Sequence, residues 1–146
     1  MRIRPESLSD TEPRIDISGA SELVGYTSFG NDGGRCELMV GPQHLNRIGL
    51  LHGGFVSTLL DNACGIAVRA ESGDLEAIVV TASLQVSFIA SVDRGRIVAT
   101  ARVRGGGRRQ KFVEAELHAE DGRLLATASA LFRLHSETPQ AVREER

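Results

Sequence analysis

Asp61 is the side chain of this sequence with the clearest chemical potential. It carries the only formal charge between Arg47 and Arg69 when His52 is counted as neutral. A carboxylate in an apolar segment is unfavourable unless it is paired, hydrogen-bonded or used in a reaction. Two interpretations follow from its position alone. Asp61 either faces a solvent channel or caps a turn as a structural group, or it serves as a general base.

Gly53 and Gly54 stand where a helix is expected to begin, and they could hold a negatively charged oxygen. The first N–H groups of a helix have no partner within it, and the helix dipole adds partial positive charge there. Because glycine has no side chain, a ligand oxygen can approach these N–H groups closely. That arrangement has the physics of an oxyanion hole. The alternative is a plain Gly-Gly turn leading into the helix.

The spacing of Gly53 and Asp61 limits how they could share one site. Eight residues of helix separate them by roughly 12 Å at a rise of ~1.5 Å per residue. Within one chain they therefore cannot both contact one reacting carbon. Either they serve different ends of a ligand, or a symmetric dimer brings Asp61 of one subunit to Gly53 of the other. A single shared site requires an oligomer.

The segment that would position these residues has a helical pattern from Phe55 to Arg69. Apolar residues recur at steps of four along two rows: Phe55, Leu59, Ala63 and Ala67, and Val56, Leu60, Cys64 and Val68. The two rows cover more than half of the circumference, which is typical of a buried helix. We predict that the helix begins just after His52-Gly53-Gly54 and ends before Ser72-Gly73.

Strand patterns dominate the second half of the chain. Apolar and polar residues alternate, as in half-buried strands, over residues 84–88, 96–104, 113–119 and 124–134. Turn-forming residues separate these runs at Asp93-Arg94-Gly95, Gly105-Gly106-Gly107 and Asp121-Gly122. We predict that the four strands form an antiparallel meander. Two earlier strands are expected near residues 22–30 and 35–40.

These elements predict an α+β fold in which one long buried helix is wrapped by a single antiparallel sheet of about six strands. Residues 21–135 form one continuous domain in this interpretation. Residues 1–20, with several prolines and serines, are expected to be a lead-in. Residues 136–146 are expected to be a polar tail.

Composition excludes several classes of protein. The 146 residues fit one domain, with 41% hydrophobic and 25% charged residues. A net charge of −2 argues against a nucleic-acid binder or a polybasic membrane module. The longest uncharged apolar stretch, Ala77 to Val92, is too short and too polar to span a membrane. The two cysteines predict no disulfide framework and no metal site, and we expect a reducing cytoplasm as the location.

The sequence resembles the hotdog-fold acyl-CoA thioesterases, and within them the phenylacetate-degradation branch most closely. The resemblance rests on the runs NRIGLLHGG at residues 46–54 and LLDNA at residues 59–63, and covers roughly residues 20–135. It implies a central helix wrapped by a curved antiparallel sheet, the same fold as that predicted above. It also implies a homo-oligomer, either a dimer or a tetramer built from two dimers.

The resemblance implies catalytic roles for five residues. Asp61 matches a carboxylate that acts as general base or nucleophile, and Gly53 matches a glycine whose N–H polarises the thioester carbonyl. Asn46 matches an amide that holds this carbonyl or the water. His52 is expected to orient the loop, and Thr81 to position the attacking water.

Further residues are expected to bind the substrate. Gly54 would allow close approach of the carbonyl, while Phe55, Leu59 and Phe88 would line the acyl pocket. The cluster at residues 104–111 contains Arg108, Arg109 and Lys111. It is either a solvated hairpin tip or a clamp for the phosphates of coenzyme A, which guanidinium groups bind well.

The sequence thus predicts hydrolysis of an aryl- or medium-chain acyl-CoA, without a metal or any cofactor beyond the coenzyme A of the substrate. Two alternatives remain within the same fold. One is an acyl-CoA hydratase or dehydratase that uses His52 and Asp61. The other is an acyl-CoA-binding protein without catalytic activity.

Overall fold

The computed structural model describes residue 15, residues 17–30 and residues 33–135. Within these residues the elements follow in chain order: α1 (Gly19–Val24), β1 (Thr27–Phe29), β2 (Gly34–Val40), a 3₁₀ helix (Pro42–His44), α2 (Gly53–Ser72), β3 (Ile78–Phe88), β4 (Gly95–Gly106), β5 (Gln110–Ala119) and β6 (Leu124–His135). The predicted tail, residues 136–146, lies outside the described residues, as does most of the predicted lead-in.

The α+β architecture predicted from the sequence is confirmed. One six-stranded antiparallel sheet wraps around α2. The predicted helix boundaries agree within two residues, because His52 caps the first turn and Gly73 ends the last in a left-handed conformation at φ +77°. Leu59, Leu60 and Ile66 are among the fully buried side chains of the core. Among the described residues, no helix has the length and apolarity needed to cross a bilayer.

Close contact between α2 and the sheet depends on a glycine at the start of β2. A Cβ placed on Gly34 would collide with the backbone of Ala63 and lie 2.8 Å from the backbone nitrogen of Ala67. On the same side of the sheet, the Nδ2 group of Asn62 donates a hydrogen bond to the buried hydroxyl of Ser28 in β1. The early strands therefore fix one side of α2.

The predicted four-strand meander is wrong at its first strand. The sheet order is β1-β2-β4-β5-β6-β3, so only β4, β5 and β6 form a meander. Residues 89–94 form a crossing segment rather than a tight turn, and six extended residues span up to about 20 Å. This segment crosses the strand ends, where Ile89 and Ala90 both donate N–H bonds to the Leu125 carbonyl. As a result, β3 lies at the sheet edge beside β6.

The strand predicted near residues 22–30 is correct only in its second half. Residues 19–24 instead form α1, because Ser18 and Ser21 cap each other's backbone N–H groups through their hydroxyls. Gly25 then ends the helix at φ +92°, and the short strand β1 follows. The start of α1 at Gly19 lies inside the predicted lead-in.

Candidate active site

Asp61 and Thr81 are brought together by the packing of β3 on α2. The Thr81 hydroxyl donates a hydrogen bond to Oδ1 of Asp61 over 2.6 Å. Asp61 is partly buried on α2, whereas Thr81 is exposed on the edge strand. The bond orients the carboxylate and leaves Oδ2 available for a water molecule or a substrate.

A β-bulge makes this contact possible. The pairing of β3 with β6 shifts between Thr81 and Ser83, so Ala82 is an extra residue in the strand. Before the bulge, side chains at odd positions point towards the helix, and Val79 accordingly packs against the core. After the bulge, side chains at even positions do so, as Leu84 shows. Strict alternation backwards from Leu84 would turn Thr81 to the outer face. Bulges commonly redirect side chains next to active sites.

The N-terminus of α2 leaves one backbone donor available. Nδ1 of His52 accepts the N–H of Gly54 at 2.8 Å, and the His52 carbonyl accepts the N–H groups of Phe55 and Val56. No described residue accepts a hydrogen bond from the N–H of Gly53. Since the dipole of a 20-residue helix adds positive charge here, Gly53 is the residue able to bind an oxyanion. Gly54 is already engaged by His52.

An apolar cavity of about 190 Å³ opens beside this donor. Gly53, Val56, Phe88 and Leu125 are among its lining residues. The Phe88 ring lies so close that a Cβ on Gly53 would be 3.2 Å from it, yet 60% of Phe88 remains exposed. The cavity thus has an apolar wall directly beside Gly53.

The other two expected pocket residues are placed differently. Leu59 is fully buried in the core, so a contact with substrate would require the core to open. Phe55 packs edge-on against the ring of His44, with 5.2 Å between the ring centroids, and also faces His52. Neither side chain lines the cavity beside Gly53.

Asn46 organises the loop that leads to α2. Its Oδ1 atom accepts the N–H groups of Ile48 and Leu50, both at 3.0 Å, and its backbone pairs with Leu50 and Gly49. The amide Nδ2 has no acceptor among the described residues and is therefore free to donate to a ligand. Asn46 thus stabilises the loop through Oδ1 and can still donate a hydrogen bond through Nδ2.

His44 is a residue whose importance the sequence did not indicate. It is 2% exposed, and its Nδ1 accepts the Gly41 N–H while Nε2 lies 2.6 Å from the carbonyl of Val24. Its own carbonyl accepts the N–H of His52 at 2.9 Å. His44 therefore anchors the loop that carries the capping histidine. The proline at N1 of the short 3₁₀ helix, Pro42, is the only local signal of this turn.

The basic cluster at residues 104–111 lies at the opposite end of α2 from Gly53. Lys111 pairs with Glu71 in the last turn of α2 at 3.2 Å, and Arg104 pairs with Glu114 at 3.3 Å. Arg108 and Arg109 are exposed at the tip between β4 and β5. Of the predicted phosphate ligands, these two arginines carry charge without a described carboxylate partner.

The negative charge of Asp61 affects the pKa of a cysteine in the core. Burial and the negative charge of Asp61 raise the pKa of the Cys64 thiol to about 12. Cys64 follows Asp61 by almost one turn of α2 and is fully buried. Among the described residues, no three acidic, histidine or cysteine side chains converge as a metal site would require.

Comparison with known proteins identifies the family. Residues 48–126, more than half of the chain, match the model of the thioesterase superfamily. The chain belongs to this superfamily. Acyl-coenzyme A thioesterase 13 of Homo sapiens is 34% identical over 93 residues, which cover 62% of this chain and 65% of that protein.

Solved structures place this thioesterase in the hotdog fold. The conserved protein PA5202 from Pseudomonas aeruginosa has a TM-score of 0.75 and 32% identity, covering 82% of this chain and 95% of the other. The E. coli PaaI protein from the phenylacetic acid degradation operon has a TM-score of 0.74 at 19% identity, covering 83% and 87%. That second likeness shows the fold alone. The predicted thioester hydrolase activity is confirmed by the family, whereas the phenylacetate branch stays a prediction.

Proposed function

We propose that this thioesterase hydrolyses acyl-CoA to a free acid and coenzyme A, with Asp61 and Thr81 of one subunit facing Gly53 of another. The observation that carries this proposal is the Asp61–Thr81 hydrogen bond between α2 and the edge strand β3. The name of the human relative supports an acyl-CoA substrate. One chain separates Asp61 from Gly53 by roughly 12 Å of helix, so a complete site needs two subunits.

The edge strand supports a particular dimer. β3 has 11 residues and one unpaired edge, whereas β1 at the other edge has three. A long edge strand readily pairs with a copy of itself. A two-fold axis between the two copies of β3, perpendicular to the sheet, would form this pairing once and the active site twice. Phe112 and Met39 are more than half exposed, and they support a second interface that would give a tetramer of two dimers.

The proposed reaction needs only the groups described here. The thioester carbonyl oxygen accepts the N–H of Gly53, and the Nδ2 of Asn46 is the second candidate donor. Asp61, oriented by Thr81, takes a proton from water as the new C–O bond forms. The C–S bond then breaks and the departing thiolate takes up the proton. Direct attack by Asp61, followed by hydrolysis of the anhydride, is the alternative route to the same products.

Features around the active site support further details of the substrate and location. The cavity of about 190 Å³ beside Gly53 would accept an aryl or a medium-chain acyl group. Arg108 and Arg109 would bind phosphate at the nucleotide end of coenzyme A. Both cysteines are buried and neither forms a disulfide among the described residues, which is compatible with a reducing cytoplasm.

A hydrolysis screen tests the proposal. The purified protein is incubated with phenylacetyl-CoA, hydroxyphenylacetyl-CoA and linear acyl-CoAs of increasing length, and released thiol is measured. Enoyl-CoA hydration is assayed in parallel at the same protein concentration. We expect thiol release without hydration, together with a dimer or tetramer by light scattering. Hydration in place of hydrolysis, or tight binding with no turnover, would contradict the proposed reaction.

A further inference from the structure

His44 is buried at the base of the loop that leads to α2, and both nitrogens of its ring form hydrogen bonds. The residue is 2% exposed. Nδ1 accepts the N–H of Gly41 at 2.9 Å, so Nε2 is the protonated nitrogen and donates to the carbonyl of Val24 over 2.6 Å. These two partners hold the imidazole in one orientation and in one neutral tautomer.

The two hydrogen bonds of His44 differ in how far they reach along the chain. Gly41 precedes His44 by three residues, so this bond closes only the local 3₁₀ turn. Val24 precedes His44 by 20 residues and is the last residue of α1, where the terminal carbonyls have no partner within the helix. The Nε2 bond therefore connects the loop before α2 to a separate element of the fold.

A short series of contacts leads from His44 to the free donor at Gly53. The His44 carbonyl accepts the N–H of His52 at 2.9 Å, and Nδ1 of His52 accepts the N–H of Gly54 at 2.8 Å. The ring of Phe55 faces both histidine rings edge-on, with 5.2 Å and 6.2 Å between the ring centroids. The position of the backbone that presents the Gly53 N–H thus depends on where His44 is held.

We propose that His44 is a positioning residue for thioester hydrolysis, which acts through His52 to orient the N–H of Gly53 towards the substrate carbonyl; the inference rests on the function proposed above. His44 is too deeply buried to contact the reacting atoms itself. An oxyanion donor is effective only within hydrogen-bond distance of the developing charge, so a small displacement of the loop lowers the rate. The loss should appear in kcat rather than in KM, because the donor acts most strongly on the transition state.

Two amide variants of His44 separate its hydrogen bonds. The amide oxygen of asparagine lies near the position of Nδ1 and keeps the local bond to Gly41, whereas the amide nitrogen of glutamine reaches the position of Nε2 and keeps the bond to Val24. We expect His44→Asn to lower kcat about tenfold for the best acyl-CoA of the screen, with KM unchanged. His44→Gln should recover most of this rate.

Val113→Ala is the matched control for a loss of stability alone. Val113 is 1% exposed in β5 and pairs with Val103, next to the basic cluster at the opposite end of α2 from Gly53. Its truncation leaves a cavity and destabilises the fold without reaching the loop before α2. Val113→Ala should therefore keep the kcat of the wild type at temperatures where it remains folded.

Nuclear magnetic resonance of protein labelled with ¹⁵N-glycine measures the same positioning without substrate. We expect the amide signals of Gly53 and Gly54 to move in His44→Asn, and to stay near their wild-type positions in His44→Gln and Val113→Ala. A loss of stability without displacement of the loop would leave these signals in place. The spectra therefore separate a positioning role from a purely structural one.

Several results would overturn the inference. These are a wild-type kcat in His44→Asn, a change in KM alone, equal rates in the asparagine and glutamine variants, or an equal loss of kcat in Val113→Ala. If His44→Asn does not fold, a tenfold loss of kcat in folded His44→Gln would overturn it as well. If the wild type releases no thiol from any acyl-CoA, the proposed function itself fails. The glycine signals then test His44 separately, and unchanged signals in His44→Asn would exclude the positioning role.

Discussion

The hydroxyl of Thr81 in β3 donates a 2.6 Å hydrogen bond to the carboxylate of Asp61 in α2, across 20 positions of sequence. The bond connects the edge strand to the central helix. It gives the carboxylate a fixed orientation before any substrate binds, which is the kind of preorganisation that general-base catalysis requires.

Replacement of Asp61 by asparagine should abolish most of the activity. The amide keeps the shape of the side chain but cannot accept a proton, so kcat should fall by about 10²–10⁴-fold. Thiol release from the best acyl-CoA of the screen measures the effect. Asp93→Asn is the control, because Asp93 pairs with Arg94 on the surface. Turnover near the wild-type rate in Asp61→Asn would exclude Asp61 as base and as nucleophile.

Thr81→Val should lower kcat/KM by about tenfold, since valine has the shape of threonine but cannot orient Asp61. Thr81→Ser restores the hydroxyl and should recover most of the rate. The two variants are compared at equal protein concentration, with circular dichroism to confirm the fold. Equal rates for the valine and serine variants would mean that the hydrogen bond has no catalytic role.

His52→Ala should destabilise the protein by about 1 kcal/mol, because the Gly54 N–H loses the Nδ1 atom that caps it. His52→Asn supplies another cap acceptor and should restore stability. Urea unfolding at a single protein concentration measures the difference, since subunit association also contributes to stability. If the histidine transfers protons rather than orients the loop, the asparagine variant will be stable yet inactive.

Arg108→Ala combined with Arg109→Ala should raise KM for acyl-CoA and leave KM unchanged for an acyl-dephospho-CoA, which lacks only the ribose 3′-phosphate. The physical reason is the loss of two guanidinium groups that carry charge without a described carboxylate partner. An unchanged KM for acyl-CoA would instead identify this tip as a solvated hairpin.

The Cys64 thiol should resist alkylation by iodoacetamide at pH 8 in the native protein and react after unfolding in urea. Its pKa of about 12 lies above the ordinary value of 9.0, so the folded state keeps its proton longer than the unfolded state. Unfolding therefore releases a proton between these values, and stability falls as pH rises through this range. Cys64→Ala should show a shallower loss of stability between pH 9 and 10. A parallel loss in both proteins would contradict the raised pKa.

The sequence predicted the central helix well because its signals are local. The apolar rows from Phe55 onward and the glycines at both ends of the segment determine where α2 begins and ends. The order of the strands in the sheet was harder to predict from the sequence. Whether β3 pairs with β4 or β6 depends on the path of residues 89–94, and a sequence pattern describes turns better than crossings.

The site was predictable in its residue types and less so in its contacts. The Gly-Gly pair indicated a helix start with free donors, but only the structure shows that His52 engages Gly54 and leaves Gly53. Leu59 has the same apolar character as a pocket residue, and its complete burial depends on packing with the sheet.

The extra residue in β3 affects how remote homologues should be aligned with this chain. Thr81 and Ser83 both carry hydroxyls. In a regular strand they would lie on the same face, but the bulge at Ala82 puts them on opposite faces. A gap-free alignment anchored on Leu84 would match Thr81 with an outward-facing residue in any homologue that lacks the extra residue. Homologues should therefore be superposed on α2 and β6 before their catalytic hydroxyl is assigned.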